Sequence, residues 1–315
     1  MKELLKRINN VINAKNVTAE IYFLMKTAKG VEIKSADLDE TSQASLTNQF
    51  KNSIENTLVK NQELALFKIT EADDRNNVVY EYDLAKIPDK LKSLSAVLNN
   101  NNFDVFNFET DDLSTIDGII VVLGNHTSQI ALYKHQYPIY LMNRHKEFSL
   151  RRKGALNRFE KVEEDILKIT PSFDFFQIEK ELFVLDLKLL ERSFGFEEAI
   201  QNGAKAAIQV IQQANLVHNM NMLVGRLNEL PFARKLLRAS KNSPVLGIVP
   251  FNHILAFTNQ HPALKGRFHL NPTGTMFDLN TKISQNLFLK LLNDDLLQSE
   301  LTQKYYDSIA KDSVV

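Results

Sequence analysis

The chain has 315 residues, of which 44% are hydrophobic and 24% charged, a composition that excludes disorder along its whole length. Lys plus Arg and Asp plus Glu each number 38, so bulk positive charge cannot coat nucleic acid, and any such role needs a local patch. Cysteine is absent, which removes disulfides, thiolate zinc sites, iron–sulfur clusters and cysteine nucleophiles together, and fits a reducing cytoplasm.

Residues 1–14 place Leu4, Leu5, Ile8, Val11 and Ile12 on one helical face among Lys2, Lys6 and Arg7. This predicts an amphipathic helix and not a signal peptide, which needs an unbroken apolar core of about 7–15 residues. Residues 19–26 and 31–36 flank Lys29-Gly30 and predict a hairpin. Leu46, Phe50, Ile54 and Leu58 recur every fourth residue, a helix with one buried stripe. Strands are expected at 64–69 and 77–83, then a short helix that Pro88 opens, carrying Leu91, Leu94 and Leu98.

Between about 117 and 186 come apolar segments at 118–123, 129–133, 137–142, 166–170, 173–178 and 182–185, joined by short turns. Strands joined so tightly must be antiparallel, because a parallel crossover needs a dozen or more residues. From about Leu187 the pattern is mostly helical. One stripe is Phe196, Ile200, Ala204, Ile208 and Ile211, another Ile283, Leu287, Leu291 and Leu292, with a hairpin expected across 266–279. Segregated strands and helices define an α+β fold, with a central antiparallel β-rich region and a mostly helical C-terminal third. The polar run Asn99–Asn102 and the acidic stretch after it place a domain boundary at 104–116. The expected domains are an N-terminal α+β domain over 1–105 and a β-meander plus helical domain over 106–315. The longest apolar run, near 119–123, is far short of the roughly 20 residues that span a bilayer.

The sequence carries no P-loop, dinucleotide-binding glycine fingerprint, His-Glu-x-x-His or Gly-x-Ser-x-Gly motif. Its seven histidines show no i, i+4 ligand pair. No catalytic set, metal site or cofactor is assigned. One fragment resembles a nuclease: Asp186-Leu187-Lys188 at a strand end, with Asp174 or Glu164 as second carboxylate, is the spacing that puts Mg²⁺ and a lysine at a phosphate. The same triplet also reads as a strand leaving the sheet with solvated ends. Asp104, Glu109, Asp111, Asp112 and Asp117 lack the ligand spacing and central glycine of a calcium loop, and read as a solvated acidic linker.

Positive charge is more informative. Arg144, Lys146, Arg151, Arg152, Lys153, Arg158 and Lys161 lie within 18 residues that hold only Glu147 and Glu160, a local surplus of +5. Arg226, Arg234, Lys235, Arg238 and Lys241 against Glu229 give +4. Such clusters suit phosphate contacts, which supply sequence-independent affinity through counterion release. Each also reads as a solvated surface or a contact with an acidic partner.

At the C-terminus, the run from Leu291 to Thr302 (Leu-Leu-Asn-Asp-Asp-Leu-Leu-Gln-Ser-Glu-Leu-Thr) continues to Tyr305, Tyr306, Asp307 and Lys311. Asp294 or Asp295 would cap a last helix whose face carries Leu297, Leu301, Tyr305 and Ile309. The same run resembles the C-terminal signature of the KwaB family, effectors of the two-protein Kiwa anti-phage defence system. The resemblance implies a cytosolic protein, a homodimer, that binds double-stranded DNA and is held at the inner membrane by a transmembrane sensor partner, KwaA. It implies no catalytic residue set and supplies no DNA site. The expected DNA contacts therefore come from charge alone: Arg144, Lys146, Arg151, Arg152, Lys153 and Arg158, with Arg234 and Arg238. A metal-dependent nuclease and a non-catalytic assembly protein stay open as alternatives.

Overall fold

The structure is a computed structural model and describes residues 1–28, 30–72, 76–100, 102–138, 141–142, 150–154, 158–299 and 301–307. The chain divides into two compact units. The first holds 1–68, 75–82 and 87–194; the second holds 69–74, 83–86 and 195–315. The acidic stretch 104–116 lies within the first unit.

The first unit opens with α1 (Lys2–Ile12), β1 (Thr18–Thr27), β2 (Gly30–Ser35), α2 (Glu40–Ile54), β3 (Ala65–Lys68), β4 (Val78–Glu81) and α3 (Asp89–Asn99). It continues with β5 (Ile116–Asn125), β6 (Ser128–His135), β7 (Leu141–Met142), β8 (Leu150–Arg152), β9 (Phe159–Lys161), β10 (Ile166–Leu167), β11 (Phe175–Ile178), β12 (Glu181–Val184) and α4 (Leu187–Ser193). Among the described residues, eight strands form one sheet in the order β2-β1-β5-β6-β11-β12-β4-β3. Its neighbours are antiparallel except for the parallel pair β3–β4.

The strand alternation explains the layers. Ile21, Phe23 and Met25 of β1, Ile119, Val121 and Leu123 of β5, and Ile130 and Leu132 of β6 share one core. Leu4, Ile8, Val11 and Ile12 of α1 and Phe50 and Ile54 of α2 complete it, so the amphipathic N-terminal helix buries its stripe here. The alternate positions, such as Tyr22, Ile120, Val122, Tyr133 and Phe175, are buried as well, on the side where α3 lies along β5, β6 and β11. Both faces of β5 are therefore covered, which is why its sequence is a continuous apolar run and not an alternating one.

The second unit holds α5 (Phe196–Gln213), α6 (Asn221–Val224), α7 (Leu230–Asn242), α8 (Phe251–Gln260), the hairpin β13 (His269–Leu270) with β14 (Phe277–Asp278), α9 (Lys282–Leu292), β15 (Leu296–Gln298) and β16 (Tyr305–Asp307). The α+β class and the hairpin expected across 266–279 are observed. The α5 stripe from Phe196 to Ile211 is buried as expected.

Two expectations are corrected. The α9 stripe is rotated: Ile283 is exposed and Leu287 half-buried, while Phe288, Leu289, Leu291 and Leu292 are buried. A reciprocal capping box between Thr281 and Ser284, with Gln285 bonded to the Leu279 carbonyl, fixes that phase. The last helix is a β-hairpin, with Leu296 paired to Asp307 and Gln298 to Tyr305. Asp294 takes φ +52° and ends α9 instead of capping a new helix. Ser299 and Gln303 then close the turn through Ser299 N–H to the Lys304 carbonyl (2.9 Å) and Gln303 N–H to the Ser299 carbonyl (2.8 Å). Leu301 sits 94% exposed at its tip, and Ile309 lies outside the described residues.

Candidate nucleic-acid interface

Arg144 and Lys146 lie outside the described residues. The rest of the central basic cluster is gathered by one hairpin, in which β8 and β9 pair Leu150 with Lys161, Arg151 with Glu160 and Arg152 with Phe159. The Lys153 N–H donates to the Arg158 carbonyl at 2.9 Å. Directly opposed residues share a face, and the faces alternate along each strand. One face therefore carries Leu150, Arg152, Phe159 and Lys161, and the other Arg151, Glu160, Lys153 and Arg158.

The two faces differ in electrostatics. Arg151 donates from Nε to Glu160 (3.0 Å) and from a terminal nitrogen to Glu164 (3.3 Å), and Lys153 approaches Glu160 at 3.8 Å. These are exposed pairs, worth at most about 1 kcal/mol each, so the guanidinium and ammonium groups stay exchangeable toward a stronger anion. On the opposite face Phe159 is 71% and Leu150 52% exposed beside Arg152 and Lys161; Lys161 has Glu163 at 3.4 Å. This face therefore presents two large apolar side chains to solvent beside two cations. Charge counting over 144–161 misses Glu163 and Glu164, which lie two and three residues beyond the window and temper the positive field.

The second basic segment is built differently. Arg226 is a structural hub: its guanidinium lies 4.1 Å from the Phe232 ring centroid and bonds Glu229, Gln285 and Asn286. Arg234 and Arg238 are half-buried on α7, with Arg234 5.6 Å from the centroid of Phe196. Lys241 bonds the Asp83 carbonyl at 2.7 Å.

The nuclease-like residues have structural partners. Asp174, 6% exposed, accepts from Lys134 Nζ at 2.6 Å and from the His135 backbone N–H at 2.8 Å. Asp186 caps α4, its carboxylate accepting from the Leu189 N–H at 2.8 Å. Lys188 is exposed. Among the described residues, no group of three His, Asp or Glu side chains could hold a metal ion. Beside Asp174, burial lowers the His135 imidazole from its ordinary pKa against the pull of Asp117, and burial raises the Tyr133 phenol. Lys134 gives no signal in the sequence, because its partner stands forty residues away.

Fold and site together define a class: an α+β protein with a mostly antiparallel eight-stranded sheet and, in the same unit, a separate exposed basic hairpin of two strands. Residues 113–302 match the model of the Kiwa protein KwaB-like family, and the chain belongs to that family. It is similar to Kiwa protein KwaB of Escherichia coli O55:H7 (strain RM12579 / EPEC), with 28% identity over 289 residues that cover 91% of each chain. No solved structure matches. Membership gives the chain a role in Kiwa anti-phage defence. Among the described residues, no helix is long and apolar enough to cross a membrane.

Proposed function

We propose that the protein is a DNA-binding effector of its defence system, gripping duplex phosphates with little sequence specificity through the β8–β9 hairpin. The observation that carries the reading is the exposed hairpin, which gathers Arg152 and Lys161 beside Phe159 on one face and Arg151, Lys153 and Arg158 on the other, in a chain of zero net charge. Such contacts position a protein on DNA without reading bases. Arg234 and Arg238, in the second unit, are a separate and subsidiary candidate patch. The protein acts as a homodimer and reaches the inner membrane through KwaA, the partner that the family resemblance implies. Asp174 and Asp186 serve the fold in this reading, so binding proceeds without cleavage.

Gel shifts across a salt series, with and without Mg²⁺, test it. The Arg151→Ala, Arg152→Ala, Lys153→Ala triple variant should bind all sequences more weakly. Its salt slope should flatten by up to about 0.9 for each duplex phosphate that the hairpin no longer neutralises. Unchanged binding by the folded triple variant rules out this hairpin. Cleavage in Mg²⁺ that Asp186→Ala abolishes replaces the reading with a nuclease. Fractionation checks the location: the chain expressed alone should stay in the supernatant, and should pellet with membranes only when KwaA is co-expressed.

A further inference from the structure

The first unit has a second feature, lined by residues outside the basic hairpin. Between the β5–β6 turn, the outer face of β1 and the C-terminal end of α3 lies a cleft of about 630 Å³, within the range of small-molecule sites. It continues into a smaller lobe of about 270 Å³ through shared walls at Leu98, His126 and Gln129.

The walls are fixed before any ligand arrives. Gly124 takes φ +150° in the β5–β6 turn, where an added Cβ would stand 2.1 Å from the Ser128 carbonyl oxygen, so no side chain fits. Asn125 ties this turn to the segment after α1: its amide donates to the Lys15 carbonyl at 3.0 Å, and its oxygen accepts from the Thr127 and Ser128 N–H groups, both at 3.0 Å. The Lys15 backbone is thereby held against the turn that carries His126.

The lining chemistry is selective. Gln129, Asn99 and Asn100 line the cleft with amide donors and acceptors; Asn99 donates from its NH₂ to the Ser95 carbonyl, and Asn100 accepts at Oδ1 from the Asn102 N–H. Paired donor and acceptor is the pattern by which Asn and Gln read the adenine edge. Val97, Leu98 and Val122 give an aliphatic floor against which a flat base can lie. Glu20, oriented by the Tyr22 hydroxyl at 2.7 Å, supplies a carboxylate of the kind that binds ribose hydroxyls. Lys15 and His126 supply donors for a phosphate at the mouth. A sugar polymer would want an aromatic platform, which the lining lacks. A simple anion would leave the amides idle.

We propose that this cleft binds an adenine nucleoside monophosphate, either free or as the terminal unit of a nucleic-acid strand reaching in from the smaller lobe. The amides take the base, Glu20 the ribose, and Lys15 with His126 the phosphate. The proposal is independent of DNA binding by the hairpin.

Isothermal titration calorimetry of the full-length protein tests it with AMP, adenosine, dAMP, inorganic phosphate and a 5′-phosphorylated adenine oligonucleotide. AMP should bind, with Lys15→Ala weakening it by at least about tenfold while adenosine affinity stays within about twofold. Gln129→Leu should weaken AMP and adenosine alike, and Glu20→Gln should narrow the preference of AMP over dAMP. Lys15 is exposed and Gln129 half-buried, and a melting curve for each variant confirms folding. Binding of AMP without the oligonucleotide assigns a free nucleotide; binding of both assigns the strand terminus as well. No heat with AMP at millimolar concentration, equal affinity for inorganic phosphate, or AMP affinity untouched in both Lys15→Ala and Gln129→Leu overturns it.

Discussion

Asp174 shows how a residue can resemble a catalytic carboxylate and serve the fold. Its side chain is 8% exposed and faces a Lys134 that is 23% exposed, so neither partner can be well hydrated on its own. Removing Asp174 leaves a part-buried ammonium and the His135 N–H without this partner, at a cost of about 1–3 kcal/mol. Asp174→Ala should therefore lower the urea-unfolding free energy by that order, and Asp174→Ala, Lys134→Met should recover much of it. A variant of wild-type stability would mean that the pair is solvated and the carboxylate is available for other chemistry. Glu229 offers a second test, by pH. Hydrogen bonds from Arg226, and then from Lys282, depress its carboxyl from 4.5 to about 2. A carboxylate depressed in the folded state adds stability that is present above its unfolded value and is lost as pH falls through the folded one. The stability difference between wild type and Glu229→Gln should thus be largest near neutral pH and shrink between about pH 5 and pH 2. A difference independent of pH would place the effect in packing and not in charge.

At the level of elements, short-range signals are legible in the sequence and longer assemblies are not. The β1–β2 hairpin, the α2 stripe, the β5–β6 pair and the α5 stripe all follow from apolar periodicity with turn residues at their ends. The C-terminal helix does not, because Leu297, Leu301 and Tyr305 share a spacing of four by coincidence of a hairpin's geometry: one lies in β15, one at the turn and one in β16. Ser299 and Thr302 do signal a turn, but over so short a run an apolar period of four masks them. Tyr305 instead meets the buried His261 ring edge-on at 4.7 Å. The hairpin separates from a helix by mutation. Leu296→Ala, at a position 4% exposed, should cost about 2–5 kcal/mol, whereas Leu301→Ala should stay within about 0.5 kcal/mol. Comparable losses at both positions in chemical denaturation would restore the helix. The basic hairpin is half legible: its cations are countable, but the facial sorting of Arg151 from Arg152 needs the β8–β9 register. The cleft is not legible at all, since its walls come from residues near 15–20, 97–100 and 122–129, and no local pattern links them.

For the whole molecule, chain order and compact units disagree in an informative way. The second unit is mainly 195–315, yet it also takes 69–74 and 83–86 from between strands of the first. These short segments are integral to it. Ile69 is 2% exposed, and Thr70 donates to Asp83 through its N–H (3.2 Å) and hydroxyl (2.8 Å). Lys241 on α7 bonds both the carbonyl and the carboxylate of Asp83, and Lys86 pairs with Glu198 on α5 at 2.9 Å. Cutting at residue 195 therefore strips buried apolar surface and several partners from the helices, although the pattern is mostly helical from about Leu187 onward. A fragment 195–315 should unfold at lower temperature and less cooperatively than the same fragment carrying residues 69–86 as an appended segment, followed by circular dichroism. Burying one large aliphatic side chain such as Ile69 is worth about 1.5–3 kcal/mol. For a domain of about 100 residues, a kilocalorie shifts the melting temperature by roughly 4–8 °C, so the difference should be plain. Identical melts would show that the helical unit is self-sufficient and that the two inserted segments only decorate it. Different melts would mean that a mutation in 69–86 reaches α5 and α7 although it lies in neither, and that a truncation made at residue 195 would damage the unit it was meant to isolate.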